Sequence, residues 1–192
     1  MTGVRVARRD EDAIMAELIT RTHVRCPVSE SGERIDAFFR ERRRDGDDAA
    51  RFALAVDVAR SAGLPRANES TFTVHIVACC QWLAAFPSYH IAWDVDNEGR
   101  RAATLGRLDI EADEDYTSFF LRLAGSYETP RTSVRSHADP AFEHELAKAT
   151  SGTLLLAIAR SVERAYRNSE REKIAQRSAT SRGRADTAGG AR

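Results

Sequence analysis

The sequence predicts an α/β fold: a mixed sheet flanked by helices, with a long helical region at the C-terminus. Three patterns carry that reading. Phe52, Leu54, Val56 and Val58 alternate with Ala53, Ala55 and Asp57, the period of two of a strand with one buried face. Tyr89, Ile91, Trp93 and Val95 alternate in the same way with His90, Ala92, Asp94 and Asp96. Beyond Pro140, Leu146, Leu155, Ile158, Val162 and Tyr166 recur at helical spacing instead.

In chain order, Asp10 to about Arg21 reads as a helix capped by Asp10, with Ile14 and Leu18 one turn apart. Ser31 to Arg44 reads as a second helix that buries Ile35, Phe38 and Phe39 and stops near Gly46. The strand at Arg51 to Val58 follows, then the turn-rich loop SAGLPRANES, which ends on a capping Ser70 or Thr71. Thr71 to Phe86 fits two periods. Its first eight residues alternate like a strand, while Phe72, Ile76, Cys79, Leu83 and Phe86 form a helical stripe. Sixteen residues without Gly or Pro are long for a strand, so helix is the expectation.

Pro87 ends that helix, because proline disfavours helix at the residue before it. The strand from Tyr89 enters the turn DNEGR, and Arg101 to Ile110 returns as its partner. Asp113 is expected to cap a short helix carrying Tyr116, Phe119, Phe120 and Leu123, closed by Gly125. Pro140 suits the first position of the last helical region, which is expected to break or bend near Gly152. Residues 1–168 thus read as one α/β domain. Residues 169–192, poor in apolar side chains, read as a disordered polar tail.

Bulk composition excludes some functions. With 29 basic and 29 acidic residues the chain is formally neutral, which argues against nucleic acid or an anionic membrane as partner. No apolar run approaches the roughly 20 residues that span a bilayer. The acidic residues of MTGVRVARRDEDAIMAEL fall where a signal peptide is apolar. Three cysteines, two of them adjacent, make no disulfide framework, so the expected setting is cytoplasmic.

Few residues point to chemistry. His90 and Asp94 share a strand face, but roughly 13 Å between their backbones is too far for a direct hydrogen bond. His75 falls on the expected apolar helix and reads as a core or interface histidine. His137, Asp139 and His144 match no compact metal-ligand spacing, and no metal site is expected. Cys79 and Cys80, on a buried helix, would act as small inert apolar groups. No dinucleotide, nucleoside-triphosphate or Gly-x-Ser-x-Gly motif is present, so no tightly bound cofactor is expected. Arg160, Arg164, Arg167, Arg171, Lys173 and Arg177 are interleaved with Glu163, Glu170 and Glu172, as on a solvated face.

The order of elements from about residue 50 to 124 resembles the N-terminal half of the chloramphenicol acetyltransferase-like superfamily, which includes the dihydrolipoyl acyltransferase catalytic domains. Val56-Asp57-Val58, Thr71-Phe72, Phe86-Pro87, Trp93-Asp94 and Gly99 occupy corresponding places, and DEDYTSFFLRL is similar to the segment that opens the family's next helix. The resemblance implies acyl transfer from a coenzyme A or carrier thioester to a carrier protein or small-molecule acceptor, in a homo-oligomer, commonly a trimer. The family's catalytic His-x-x-x-Asp-Gly motif is missing from residues 125 to 192. His90-x-x-x-Asp94 keeps the spacing, but with Val95 for the Gly and in the wrong half. If the chain is active, His90 and His75 are the candidate bases. The alternative is a non-enzymatic α/β binding or assembly module that acts through its C-terminal helix.

Overall fold

In the computed structural model, described for residues 13–58, 71–81, 87–95, 104–130 and 140–188, the architecture is α+β. The strands are β1 (Ala13–Val24), β2 (Ala49–Asp57), β3 (Thr71–Gln81), β4 (Ser88–Val95), β5 (Thr104–Ala112) and β6 (Phe119–Pro130). A 3-10 turn (Val28–Glu30) and helix α1 (Ser31–Arg40) separate β1 from β2. Helix α2 (Pro140–Ala188) ends the described chain. The strands lie in the order β1-β6-β5-β4-β3-β2, and every pairing is antiparallel. The expected mixed sheet is thus corrected to a purely antiparallel one. Neighbours in sequence from β2 to β6 are neighbours in the sheet, which short connections can join without a crossover helix.

Three expected helices are replaced. The segment from Thr71 to Gln81 is the strand β3, which buries Val74, Ile76 and Ala78 and exposes Thr73, His75 and Cys79. Its β-branched residues suit a pleated surface, and β2 and β4 supply ladders on both sides. The N-terminal helix becomes β1, in which Leu18 and Val24 are buried while Glu17, Ile19, Arg21 and His23 are exposed. Asp10, its expected cap, lies outside the described residues. Asp113 caps no helix. Its carboxylate accepts from Ser118 Oγ at 2.6 Å and from the Glu114 amide at 2.9 Å. These bonds, which hold its carboxyl below the ordinary range, organise the turn into β6. Phe119, Leu121, Leu123 and Tyr127 then alternate inward along that strand.

The second helix, β2, β4, β5 and the helix start at Pro140 follow the sequence reading. The loop after β2, the cap at Ser70, Leu83 and Phe86, the turn DNEGR and the irregular segment before Pro140 lie outside the described residues. Helix α2 is unbroken at Gly152, where a side chain would meet nothing within 4 Å. It also continues to Ala188, against the expectation of a disordered tail. The segment 169–188 lacks proline and is rich in helix-forming Glu, Arg, Lys, Gln and Ala. Lys173 Nζ reaches Glu170 Oε1 at 2.8 Å within it. All side chains from Arg171 to Ala179 are exposed, so this part projects beyond the body. Among the described residues no helix is long and apolar enough to cross a membrane.

The seating of α2 shapes the core. The helix lies against β1 and β6 at one edge of the sheet and against β2 at the other, and stands farther from β3, β4 and β5. A helix can meet both edges only if the sheet is concave toward it. Polar contacts fix it lengthwise: Ser151 Oγ to Thr20 Oγ1 at 2.7 Å, and the Arg25 amide to Glu163 Oε1 at 3.0 Å. Beyond these, the Arg34 guanidinium lies 5.6 Å from the Tyr166 ring centre. Ile158, Leu154, Leu155 and Val162 are buried against the sheet.

The strand register aligns inward residues into rows across the sheet. One row reads Leu18, Gly125, Gly106, Ile91, Ala78, Ala50. Gly125, Gly106 and Ala78 within it let the neighbouring rows close over it. At Gly106 an added Cβ would stand 3.1 Å from Leu123 Cδ1, 3.4 Å from the Ala124 carbonyl oxygen and 3.6 Å from Trp93 Cζ3. We therefore expect Gly106→Val to lower the unfolding free energy by about 1–3 kcal/mol, the usual cost of overpacking. Urea denaturation of the two proteins measures it, and unchanged stability would contradict the packing described for this row.

Candidate functional site

The two histidines singled out from sequence stand on the solvent side of the sheet. His75 on β3 is exposed, not packed on an apolar helix, and pairs with Ala53 on one side and Asp94 on the other. His90 on β4 is exposed and lies opposite Cys79 on β3 and Arg107 on β5. The register positions of His75 and His90 are four residues apart, about 13 Å along the strands, so the two do not form one site. Around His90 the outer face is a polar mosaic. Arg107 Nε donates to Asp109 Oδ1 at 2.7 Å and to Ser88 Oγ at 2.9 Å. Arg21 and Arg122 flank Glu111 at 3.1 and 3.7 Å.

The strand character of β3 also separates the paired cysteines, since successive side chains point to opposite faces. Cys79 is exposed and Cys80 turns inward, which corrects the picture of two inert groups on one buried helix. Cys26 is buried, and burial pushes its thiol up to about 11. No group of three metal-ligating side chains occurs among the described residues. His137 and Asp139 lie outside them, while His144 is bound to Tyr127. The basic side chains at 160, 164, 167, 171, 173 and 177 are all exposed, as their interleaving with Glu predicts.

The interior between α2 and the sheet is where unusual groups gather. At the end of the sheet from which β4 leaves and α2 begins, Ala16, Phe52, Leu54 and Phe72 face inward yet remain partly exposed. Tyr127, buried on β6 in the same region, shares a 2.7 Å hydrogen bond with His144 Nδ1 on the first turns of α2. The result is an apolar rim with one polar pair. Deeper inside, Ser151 is satisfied by Thr20 and by the Lys148 carbonyl at 2.9 Å, whereas the fully buried Thr150 Oγ1 has no partner among the described residues.

Continuous with that rim through Phe52 lies a cluster that links α1, the chain after it, and β3 and β4. Tyr89 is fully buried, with its ring centre 4.7 Å from that of Phe39. Phe38 and Phe39 pack in turn on Phe52, at 5.9 and 6.5 Å. The Tyr89 hydroxyl sits beside the Cys80 thiol and donates to its sulfur, whereas the buried Arg43 Nε has no partner among the described residues. Arg43 Nη2 lies 3.6 Å from Asp36 Oδ1, and Asp36 is also paired with Arg40. Burial, then the charges of Cys80 and Asp36, pushes the Tyr89 hydroxyl well above its ordinary value. Burial likewise raises the Cys80 thiol. Both groups stay protonated at neutral pH and can bind but not act as bases.

Tyr89 was visible in the sequence as the one hydroxyl in the inward set Tyr89, Ile91, Trp93. Its meeting with Arg43 and Asp36 was not, because that depends on how α1 docks. A buried hydroxyl without a partner costs about 1–3 kcal/mol. Thr150→Val, which removes an unpaired buried hydroxyl at nearly constant shape, should raise the unfolding free energy by about 1 kcal/mol. Denaturant titration would show it; a loss of stability would mean the hydroxyl is bonded.

No family model matches the chain, and no curated protein matches it. Among solved structures the chain is similar to the Mll3558 protein of Rhizobium loti, at 14% identity and TM-score 0.42 over 78% of this chain and 98% of that one. It is also similar to a conserved protein of Geobacillus kaustophilus, at 10% identity and TM-score 0.46 over 80% and 97%. An uncharacterised protein of Rhizobium leguminosarum matches at 14% identity and TM-score 0.40 over 77% and 97%. Likeness of this degree carries nothing about chemistry.

Proposed function

We propose that the protein is a binding module that takes a small, mainly apolar ligand at the partly open rim of the sheet where α2 begins, the C-terminal helix serving as one wall. One observation carries this reading. The inward face is apolar and partly open where α2 begins, through Ala16, Phe52, Leu54 and Phe72, with the Tyr127–His144 pair beside it and the unpaired Thr150 hydroxyl inside. Sites for small molecules are concave and mostly apolar with a few placed polar groups, and that is the inventory here. A core that served stability alone would gain by replacing Thr150 with an apolar residue. The test uses the neutral probe N-phenyl-1-naphthylamine with Trp82→Phe protein, in which Trp93 is the remaining tryptophan. Trp93 is 3% exposed on the inner face, so a bound probe quenches it by energy transfer. Saturable quenching at one probe per chain is expected; a linear response would remove the reading.

A second reading, acyl transfer, draws on the resemblance of residues 50–124 and on one pairing. The exposed thiol of Cys79 lies directly opposite the exposed His90, a juxtaposition of nucleophile and base. On this reading a coenzyme A or carrier thioester supplies the acyl group, a small molecule or carrier protein accepts it, and the chloramphenicol acetyltransferase-like trimer is the expected assembly. Radiolabelled acetyl-CoA with a panel of amine, hydroxyl and thiol acceptors tests it, using wild type, His75→Ala, His90→Ala and Cys79→Ala. Turnover reduced at least tenfold in the His90 and Cys79 variants would support it. Absence of turnover in wild type, or full activity in both variants, would eliminate it.

A further inference from the structure

Each edge of an antiparallel sheet presents a row of unpaired backbone groups, and folds usually blunt that row with short strands, prolines, bulges or inward-pointing charges. The two edges here differ. The outer side of β2 is partly occupied: Arg43 bridges Ala50, and the Arg51 amide donates to the Arg42 carbonyl at 3.1 Å. The other edge, β1, has none of the usual devices. It runs for 12 residues, AIMAELITRTHV, pairs one for one with β6 without a bulge, and contains neither proline nor glycine. Its inward residues Ala16, Leu18, Thr20, Thr22 and Val24 are uncharged. Among the described residues no strand pairs with its far side. On its outward face Ile19 is 62% exposed, the one large apolar side chain so placed on any strand among the described residues.

The outward residues of β1 are symmetric about Ile19: Glu17 stands two residues before it and Arg21 two residues after, both exposed. A two-fold axis normal to the sheet keeps outward residues opposite outward residues and makes an interface self-complementary. Placed at Ile19, the axis sets the two Ile19 side chains against each other and each Glu17 opposite the partner's Arg21. Opposite charges and apolar pairs are favourable cross-strand neighbours, and like charges are unfavourable ones. An axis at Glu17 or at Arg21 opposes like charges. An axis at Leu18 or Thr20 sets Ile19 against Glu17 or Arg21. Arg21 also has a use for another carboxylate, because it lies directly across from Arg122 on β6 and both draw on Glu111. Pairing residues 14–24 with their symmetry mates adds about ten backbone hydrogen bonds, the number a typical interface carries. We propose that β1 is a homodimer interface. Two copies join antiparallel through this edge, centred on Ile19, so that two six-stranded sheets become one continuous sheet with both α2 helices on the same face.

Light scattering on the full chain after gel filtration, at micromolar concentration, tests the proposal. A dimer is expected for wild type. Glu17→Arg and Arg21→Glu each oppose like charges across the axis and should weaken the dimer at least tenfold. The double swap E17R/R21E restores the opposite pairs and should restore the dimer. Disulfide trapping in a Cys79→Ser background, which removes the exposed native thiol, reads the register. Ile19→Cys lies on the axis and should link two chains. Glu17→Cys should not, because its symmetry mate is four residues, about 13 Å, along the strands. A wild-type monomer or trimer would overturn the proposal. So would a dimer that both single charge variants leave intact, a double swap no stronger than the singles, or cross-linking at position 17 equal to that at 19. Should Arg21→Glu, which also gives up Glu111, fail to fold, Glu17→Arg and the two trapping variants decide.

Discussion

A single helix seated from edge to edge of a concave antiparallel sheet is the constraint on which the rest of this molecule depends. Because α2 meets β1 and β6 on one side and β2 on the other, the sheet bends and the middle strands stand back from the helix. The space between is filled by the large inward side chains Tyr89, Ile91, Trp93 and Leu108. The bend in turn needs small residues where rows close upon each other, which is the place of Gly106 and Gly125, paired across β5 and β6. Polar anchors hold the helix in register along β1, from Ser151 on Thr20 to Glu163 on the Arg25 amide.

That arrangement divides the polar residues into two populations with different chemistry. Side chains on the convex face are solvated and exchange partners with water. Ion pairs there, such as Arg21 with Glu111, contribute little to stability. His75 and His90 belong to this population. Side chains on the concave face lose water, so each polar group is either bonded, as Thr20, Ser151 and Tyr89 are, or left wanting, as Thr150 is. Desolvation also keeps Tyr89 and Cys80 protonated.

The half of α2 beyond the body shows the same logic from outside. Its residues lack the apolar stripe that would require a docking face, and Ile174 is 62% exposed. Local propensity and pairs such as Glu170 with Lys173 sustain the helix there, with Lys173 also 4.0 Å from Glu30 at the foot of α1. The basic side chains along it remain a solvated face.

The sequence by itself determined those elements whose signals were one-sided. The alternation of β2 and β4, the apolar face of α1 and the proline start of α2 each have one period and one reading. Where two periods fit equally, as in Thr71 to Gln81, local pattern was undecided and tertiary pairing chose: β2 and β4 offer ladders on both sides of β3. The same holds for β1 and β6, whose edge pairing joins residues more than a hundred positions apart, such as Leu18 and Gly125. The candidate site follows that division. Tyr89 was legible as an inward hydroxyl, since alternation assigns its face. Its neighbours Asp36 and Arg43 were not, because they come from the chain around α1, and only packing against β3 and β4 brings them to it.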